Sequence, residues 1–289
     1  SFHELKISDG ELEKIKRIAI VACGTAYHAG LTGKYMLEEY VKVPCWVDVS
    51  SEFRYRDPLV DRETLVIVIS QSGETADTLA ALREAKRHGA KALAICNVLG
   101  SSIARGADGV IYTHAGPEIG VASSKTFTAT VAACYLLALW LGRRRGALLA
   151  EDGKKHIQGL LELPRLMEKT LEVEPQIAEL ARELSRYKNF LFLARGINYP
   201  IALEGALKLK ELSYAHAEGY PAGEMKHGPI ALIDENMPVI VLAPRDGTYD
   251  RMMSSLEEVR ARDGRVFAFG HEGDRELAAK SQAMIAVPA

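Results

Sequence analysis

Short apolar runs rich in β-branched residues alternate along the chain with longer segments in which apolar residues recur every three or four positions. The short runs, which predict strands buried on both faces, are residues 18–21, 65–69 and 91–95. The longer segments, which predict helices, are residues 30–41, 75–88 and 124–143. This alternation predicts an α/β fold whose parallel sheet is covered by helices on both faces.

The alternation stops in the charged, helix-prone stretch 143–175, where Pro164 and Pro175 are expected to punctuate the helices, and it resumes at Asn189. We therefore predict three parts, which are a first domain, a helical connector and a second domain. Their predicted limits are residues 1–145, 146–175 and 176–289.

The second domain looks like a copy of the first. Residues 21–27 parallel residues 193–199, and residues 68–75 parallel residues 241–248. Residue 24 then matches residue 196 and residue 75 matches residue 248, which are offsets of 172 and 173. Two matches at nearly one offset favour duplication of a whole domain. The copies diverge where Ser70-Gln71-Ser72 is replaced by Ala243-Pro244-Arg245, so only the first copy is a candidate for binding an anion there.

A loop of hydroxyl residues, Ser70-Gln71-Ser72-Gly73-Glu74-Thr75, lies between a predicted strand and a predicted helix. Unpaired N–H groups and a partial positive charge at a helix start attract phosphate, and ligands in open α/β sheets bind at the carboxyl ends of strands. Ordinary helix capping by Ser and Thr is the alternative interpretation. The loops Cys23-Gly24-Thr25 and Glu118 to Ser124 are expected to share the same crevice.

Composition excludes some classes of partner. The formal net charge of −2 favours neither nucleic acid nor an anionic membrane, so a small anion has to be held by backbone dipoles and hydroxyls. The apolar residues 126–141 are too short for a comfortable membrane span and predict a core helix. The four scattered cysteines are typical of small buried hydrophobes in a reduced, cytoplasmic protein.

Several motifs, in order and with matching spacing, resemble the isomerase region of the glucosamine-6-phosphate synthase family, which is built from sugar isomerase (SIS) domains. These are residues 22–25, 51–56, 70–75, 94–97, 118–123, 202–211 and 223–229. A lone Ser-x-Ser-Gly-x-Thr run would indicate only the broader SIS family. The resemblance implies two tandem SIS domains, each a doubly wound, mainly parallel sheet with flanking helices.

The resemblance also implies a substrate site for fructose 6-phosphate, glucosamine 6-phosphate or glucose 6-phosphate in the first domain. The phosphate would be held by Ser70, Gln71, Ser72 and Thr75. Thr25 and the backbone near Val121 would contact the sugar. The family often has Ser where this chain has Ala26, which removes one hydroxyl contact.

Moving a proton between C1 and C2 of a sugar requires groups that exchange protons near neutral pH, such as carboxylate and imidazole. Glu204, Lys208 and Glu211 share one helical stripe, which on spacing alone is typical of a solvated ion-pair face. The resemblance instead makes Glu211 the proton-shuttling base and Lys208 its active-site neighbour. It makes His227 the ring-opening residue, supplied by the partner subunit of a homodimer.

The resemblance further implies parts that this sequence does not contain, namely a glutaminase domain before Ser1-Phe2-His3-Glu4 and a tail with a Schiff-base lysine after Ala289. We therefore expect sugar-phosphate binding with poor isomerisation. No metal or cofactor is expected. The alternatives are another two-SIS deglycase or isomerase, a non-catalytic sugar-phosphate sensor, and an NAD-binding domain, which the absence of G-x-G-x-x-G after the first strand disfavours.

Overall fold

The computed structural model describes Leu5 and residues 7–288. The chain divides into two compact units, Ser1–Ile157 and Gln158–Ala289. Residues 1–4 and 289, at which the predicted outer domains begin and end, lie outside the described residues.

The first unit is built on a five-stranded sheet in the order β2-β1-β3-β4-β5, and every neighbouring pair is parallel. Its strands are β1 (Arg17–Ala22), β2 (Cys45–Val49), β3 (Thr64–Ser70), β4 (Lys91–Cys96) and β5 (Gly109–Tyr112). Its helices are α1 (Asp9–Lys14), α2 (Gly24–Val41), α3 (Ser50–Phe53), α4 (Ala76–Arg87), α5 (Ser102–Gly106) and α6 (Lys125–Arg144). The three strands predicted from apolar runs are confirmed, and β3 is buried along its whole length.

Helices cover both faces of this sheet. One core contains residues of α1, α2 and α6, and the other contains residues of α3, α4 and α5. Because β1 leads into α2 and the adjacent β3 leads into α4, the chain leaves two neighbouring strands toward opposite faces. In a doubly wound sheet this divergence opens a crevice at the carboxyl ends of the strands.

The second unit repeats this design. Its parallel sheet has the order β10-β9-β8-β6-β7, which is the order of the first sheet read from the other end. Its strands are β6 (Asn189–Ala194), β7 (His216–Pro221), β8 (Pro238–Leu242), β9 (Arg265–His271) and β10 (Ala283–Val287). Its helices are α8 (Glu174–Leu184), α9 (Tyr199–Ser213), α10 (Tyr249–Arg260) and α11 (Arg275–Ala279). The shared topology confirms the predicted duplication, with β6 matching β1 and β8 matching β3.

Helix α7 (Ala150–Leu171) follows the first unit's last strand and helix, and the boundary between the units falls inside it. The stretch 143–175 is therefore helical as expected, but Pro164 does not end a helix. It lies inside α7, where it removes a single backbone N–H donor while the 22-residue helix continues through it. Pro175 stands in the first turn of α8, where a proline costs no helical hydrogen bond.

Helix α6 is long and apolar enough to cross a membrane by length and composition, yet its most apolar window is 50% buried inside the protein. Cys134, Leu137 and Leu141 lie in the core that α6 shares with α2. The predicted core helix is thus confirmed.

The close crossing of α2 and α6 depends on Gly142. A Cβ atom at this position would lie 2.4 Å from the carbonyl oxygen of Tyr40 in α2, and backbone cannot retreat as a flexible side chain can. The two helices are therefore held at a distance that only glycine permits.

We predict that Gly142→Ala lowers the free energy of unfolding by about 2–3 kcal/mol, because the added methyl forces α2 and α6 apart. Gly159→Ala is the matched control, since nothing lies within 4 Å of a Cβ atom there. Gly159 is exposed inside α7, so alanine is expected to stabilise the helix by about 0.5–1 kcal/mol. Chemical denaturation of both variants measures the difference, and equal stabilities would contradict the prediction.

Candidate functional site

A cavity of about 300 Å³ opens at the carboxyl edge of the first sheet. It lies at the ends of β1 and β3, where the topology leaves a crevice, and its volume suits a small ligand. All six residues predicted to bind substrate line it: Thr25, Ser70, Gln71, Ser72, Thr75 and Val121. The fold of the first unit thus brings together three loops that are far apart in sequence.

The loop between β3 and α4 is held by its own hydroxyl groups. Ser70 Oγ accepts a hydrogen bond from Gly73 N at 3.0 Å and lies 3.0 Å from Thr75 Oγ1. Ser72 Oγ accepts from Glu74 N at 3.2 Å. These bonds go to amides of the loop itself, whereas Thr75, the residue before α4, makes no side-chain capping bond, and the same residues also face the cavity. The loop is both a stable turn and a concave polar surface.

The neighbouring helix α5 fixes the back of this loop. Gly73 has a φ of +66°, and a Cβ atom there would lie 2.0 Å from Ser101 Oγ, so only glycine fits. The Glu74 carboxylate accepts from Ser102 N at 2.7 Å, and this hydrogen bond lowers the pKa of Glu74. Glu74 therefore points toward α5 as an anchor, and the hydroxyls of the loop are left toward the cavity.

Residues that the sequence analysis did not single out complete the wall. Thr78 of α4 and Thr126 and Thr130 of α6 are buried and line the cavity. Thr126 and Thr130 are one helical turn apart on an otherwise apolar face of α6. This pair of polar residues on an apolar face is the pattern that could have indicated them as cavity residues. Glu118 also lines the cavity, as expected for its loop, although no role follows for its carboxylate from the sequence.

The cysteines divide into two groups. Cys45, Cys96 and Cys134 are buried, and burial raises the pKa of each thiol, as expected for small core residues. Cys23 is only half-buried and lines the cavity, with Sγ 4.0 Å from Thr78 Oγ1.

The three residues predicted on one stripe of the second unit lie together on α9. Lys208 Nζ is 3.2 Å from Glu204 Oε1 and 2.6 Å from Glu211 Oε2. Glu204 is only 5% exposed, so the stripe is not simply a solvated face. Lys208 therefore links a buried carboxylate to a more accessible one.

His227 ends a short 3₁₀ turn, Glu224–His227, rather than lying in a loop with no helical structure. Met225 is fully buried beneath this turn, while His227 is exposed. Lys226 Nζ lies 2.7 Å from Glu258 Oε1 of α10, which ties the turn to that helix. The turn is anchored on one side and presents the imidazole on the other.

The loop after β8 shows how the second copy differs from the first. The Asp246 carboxylate accepts from Thr248 N at 2.7 Å and from Asn198 Nδ2 at 2.8 Å. An internal carboxylate thus occupies the helix start at which a phosphate would bind in the first copy. Arg245 pairs with the buried Asp274 at 2.8 Å.

Within the described residues, one group of potential metal ligands, Asp57, Glu84 and His88, has ligand atoms within 4.8 Å of one another. Arg87 Nη2 lies 3.1 Å from Asp57 Oδ1 and 2.6 Å from Glu84 Oε1. The guanidinium group already supplies the positive charge that this cluster attracts.

Comparison with known proteins places this chain in a family. The SIS domain family model matches residues 11–140 and 183–289. Glutamine–fructose-6-phosphate aminotransferase [isomerizing] of Thermus thermophilus is 54% identical over 275 residues, covering 95% of this chain and 46% of the relative. The enzyme of the same name from Chlorobaculum tepidum is 56% identical over 277 residues, covering 96% of this chain and 45% of the relative. The chain thus spans about half the length of these curated relatives.

A solved structure agrees with this assignment over both units. The C-terminal domain of glucosamine-fructose-6-phosphate aminotransferase from Francisella tularensis is 44% identical, with a TM-score of 0.93. The match covers 97% of this chain and 80% of that one. This chain therefore belongs to the SIS domain family and, within it, to the isomerase regions of the glutamine–fructose-6-phosphate aminotransferases.

Proposed function

We propose that this chain is the sugar-phosphate isomerase region of an enzyme that makes glucosamine 6-phosphate from fructose 6-phosphate and ammonia. The observation that carries the proposal is the cavity at the ends of β1 and β3, lined by all six predicted substrate-binding residues. Four free cysteines accord with a reduced, cytoplasmic setting. The names of the relatives supply the substrates, and the cavity supplies a place for one of them.

Phosphate binding is assigned to the loop of Ser70, Gln71, Ser72 and Thr75. The first turn of α4 offers backbone N–H groups and the positive end of a helix dipole, and the hydroxyls add further donors. The hydroxyl groups of Ser70 and Thr75 lie 3.0 Å apart within the loop. Because a hydroxyl group can rotate and can donate as well as accept, these groups can turn to donate to a phosphate oxygen. Thr25 and the backbone at Val121 are assigned to the sugar.

The chemistry is assigned to α9 and to the turn of His227. His227 transfers a proton to the ring oxygen as the C2 hydroxyl loses its own, which opens the sugar. Ammonia adds at C2 and water leaves, which forms an imine. Glu211 then removes a proton from C1 as the imine nitrogen gains one, which gives an enolamine. Glu211 returns its proton to C2 as the C1 hydroxyl loses one, which gives the aldose. Lys208, 2.6 Å from Glu211, holds that carboxylate in position. Glu211 gives back the proton that it removed, so a single carboxylate can serve both proton transfers to and from carbon.

We expect Thr75→Ala to weaken binding of glucosamine 6-phosphate about tenfold, because it removes one hydroxyl donor to a charged group. Thr248→Ala is the matched control, since this threonine follows the equivalent loop of the second copy, which Asp246 occupies. Calorimetric titration measures both variants and also Ser72→Ala, with glucose 6-phosphate, inorganic phosphate and unphosphorylated glucosamine as comparators. Equal binding by Thr75→Ala and the wild type would show that the loop is only a helix cap.

A second prediction concerns Glu211. Incubation with fructose 6-phosphate in D₂O is expected to place deuterium on C1, and Glu211→Gln should slow this exchange at least ~100-fold because the base is lost. Glu276→Gln is the control, since Glu276 belongs to a similar triad with Lys280 and Glu257. Proton NMR detects even slow exchange. Exchange that persists in Glu211→Gln would remove this residue from the proposed role.

The proposed homodimer gives a third prediction. If each site takes Glu211 from one subunit and His227 from the other, a mixture of His227→Ala and Glu211→Gln chains regains activity. Random reassortment makes half of the dimers mixed, and each mixed dimer has one intact site of two, so recovery is roughly a quarter of wild type. No recovery after verified subunit exchange would contradict the shared site.

A further inference from the structure

Three helix starts, those of α2, α4 and α6, contribute residues to the cavity of the first unit. Each could hold an anion, since all three carry unpaired backbone N–H groups. Glu118 is the one carboxylate among the described residues that line this cavity, and it belongs to the segment leading into α6. Its partners decide what it does there.

The Glu118 carboxylate is fully engaged by the start of α6. Oε1 accepts from Ser124 N at 2.9 Å, and Oε2 accepts from Ser123 Oγ at 2.9 Å and from the Thr126 hydroxyl. The Ser124 hydroxyl also donates to Oε1, at 3.4 Å. Ser124, the residue before α6, makes no side-chain capping bond of its own. A residue six positions upstream therefore caps this helix.

These contacts exclude Glu118 as the proton-shuttling base of the reaction. Burial would raise its pKa, but the hydrogen bonds from Ser124, Thr126 and Ser123 outweigh burial and lower the pKa to about 2. With both oxygens already accepting hydrogen bonds, this carboxylate is a poor acceptor for a substrate proton. It also fills the anion site at the start of α6, and the phosphate is assigned to the start of α4, where the Ser70–Thr75 loop adds hydroxyl donors.

The residues between Glu118 and Ser123 have little else to hold them. Ile119 is 94% exposed and Val121 is 90% exposed, so no apolar side chain anchors the tip of this loop. The entry to the segment is fixed separately by Asn97, whose Oδ1 accepts from Ala115 N at 2.8 Å and whose Nδ2 donates to Gly116 O at 2.7 Å. The exit is fixed by Glu118.

We propose that Glu118 is a positioning residue, whose carboxylate closes the 118–124 loop so that the backbone at Val121 faces the sugar ring. The proposal rests on the assigned sugar-phosphate function, since it presumes a sugar in the cavity. It gives Glu118 no contact with the phosphate, which the Ser70–Thr75 loop holds. Loss of the carboxylate thus affects recognition of the sugar and spares recognition of the phosphate.

The test uses Glu118→Gln, which keeps the shape of the side chain but removes the charge to which one N–H group and three hydroxyls donate. Glu11→Gln is the matched control, because Glu11 also accepts from a backbone N–H group, that of Ser8, and its pKa is likewise lowered to about 2. Glu11 contacts Lys91 at the amino end of β4, away from the cavity at the carboxyl ends of the strands.

Titration with glucosamine 6-phosphate and with inorganic phosphate gives the decisive comparison. We expect Glu118→Gln to weaken binding of glucosamine 6-phosphate about tenfold while changing the affinity for inorganic phosphate less than about twofold. Glu11→Gln should change neither. Equal losses for both ligands, or unchanged binding of the sugar phosphate, would overturn the proposal, because a merely structural role does not separate sugar from phosphate.

Amide hydrogen exchange without ligand distinguishes failure of this proposal from failure of the assigned function. Glu118→Gln is expected to speed exchange at residues 119–126 and to leave α4 unchanged. If the wild type binds no sugar phosphate, the assigned function fails. The hydrogen-exchange data alone then test whether Glu118 holds the 118–124 loop in place. Unchanged exchange in the loop would overturn its positioning role in that case as well.

Discussion

The site depends on how the chain leaves two adjacent strands. β1 and β3 are parallel neighbours, yet α2 and α4 go to opposite faces of the sheet. The gap between them cannot be closed by backbone, because each helix has to bury its apolar stripe against its own face. A polar cavity is the consequence, and it is bounded on one side by helix starts whose N–H groups need acceptors.

The helix starts near these gaps differ in which group accepts from their backbone N–H groups. At α6 the acceptor is Glu118, and at α10 of the second unit it is Asp246. At α4 the preceding carboxylate, Glu74, is instead drawn to Ser102 of α5, and Asp77 in the first turn pairs with Arg54 at 2.7 Å. Both carboxylates near the positive end of α4 thus have partners elsewhere. Duplication supplied two similar loops, and the placement of a few acidic side chains distinguishes the one that can accept a foreign anion.

Much of this arrangement could be predicted from local patterns. Apolar runs located β1, β3 and β4 closely, because strands buried on both faces have little choice of residue. Helix α2 begins at Gly24, six residues before the predicted start, since the polar first turn that faces the cavity masks the helical period. Glu118 and Thr78 could not be assigned in this way. Glu118 contacts residues five to eight positions along an irregular loop, where no helical or strand period applies. Thr78 contacts Cys23 and Ser50, which are distant in sequence.

The roles proposed for Glu211 and His227 rest on resemblance to a family rather than on the spacing of these residues. The ion pairs of Lys208 agree with the helical spacing, but the burial of Glu204 does not follow from it.

The effect of Pro164 could not be predicted from the sequence either. Whether a proline ends a long helix depends on which hydrogen bonds the remaining turns retain, and α7 continues through Pro164.

The cavity of the first unit is lined by hydroxyls, an amide, a thiol and apolar groups, and Glu118 is the one charged side chain among its described lining residues. With no lysine or arginine there, attraction of an anion comes from dipoles, whose fields fall off faster than those of full charges. Added salt screens interactions between full charges, and among these lining residues the only full charge is the negative one of Glu118. Added salt would therefore not weaken capture of a sugar phosphate by this loop, and selection among cellular anions would rest on the arrangement of donors rather than on positive charge.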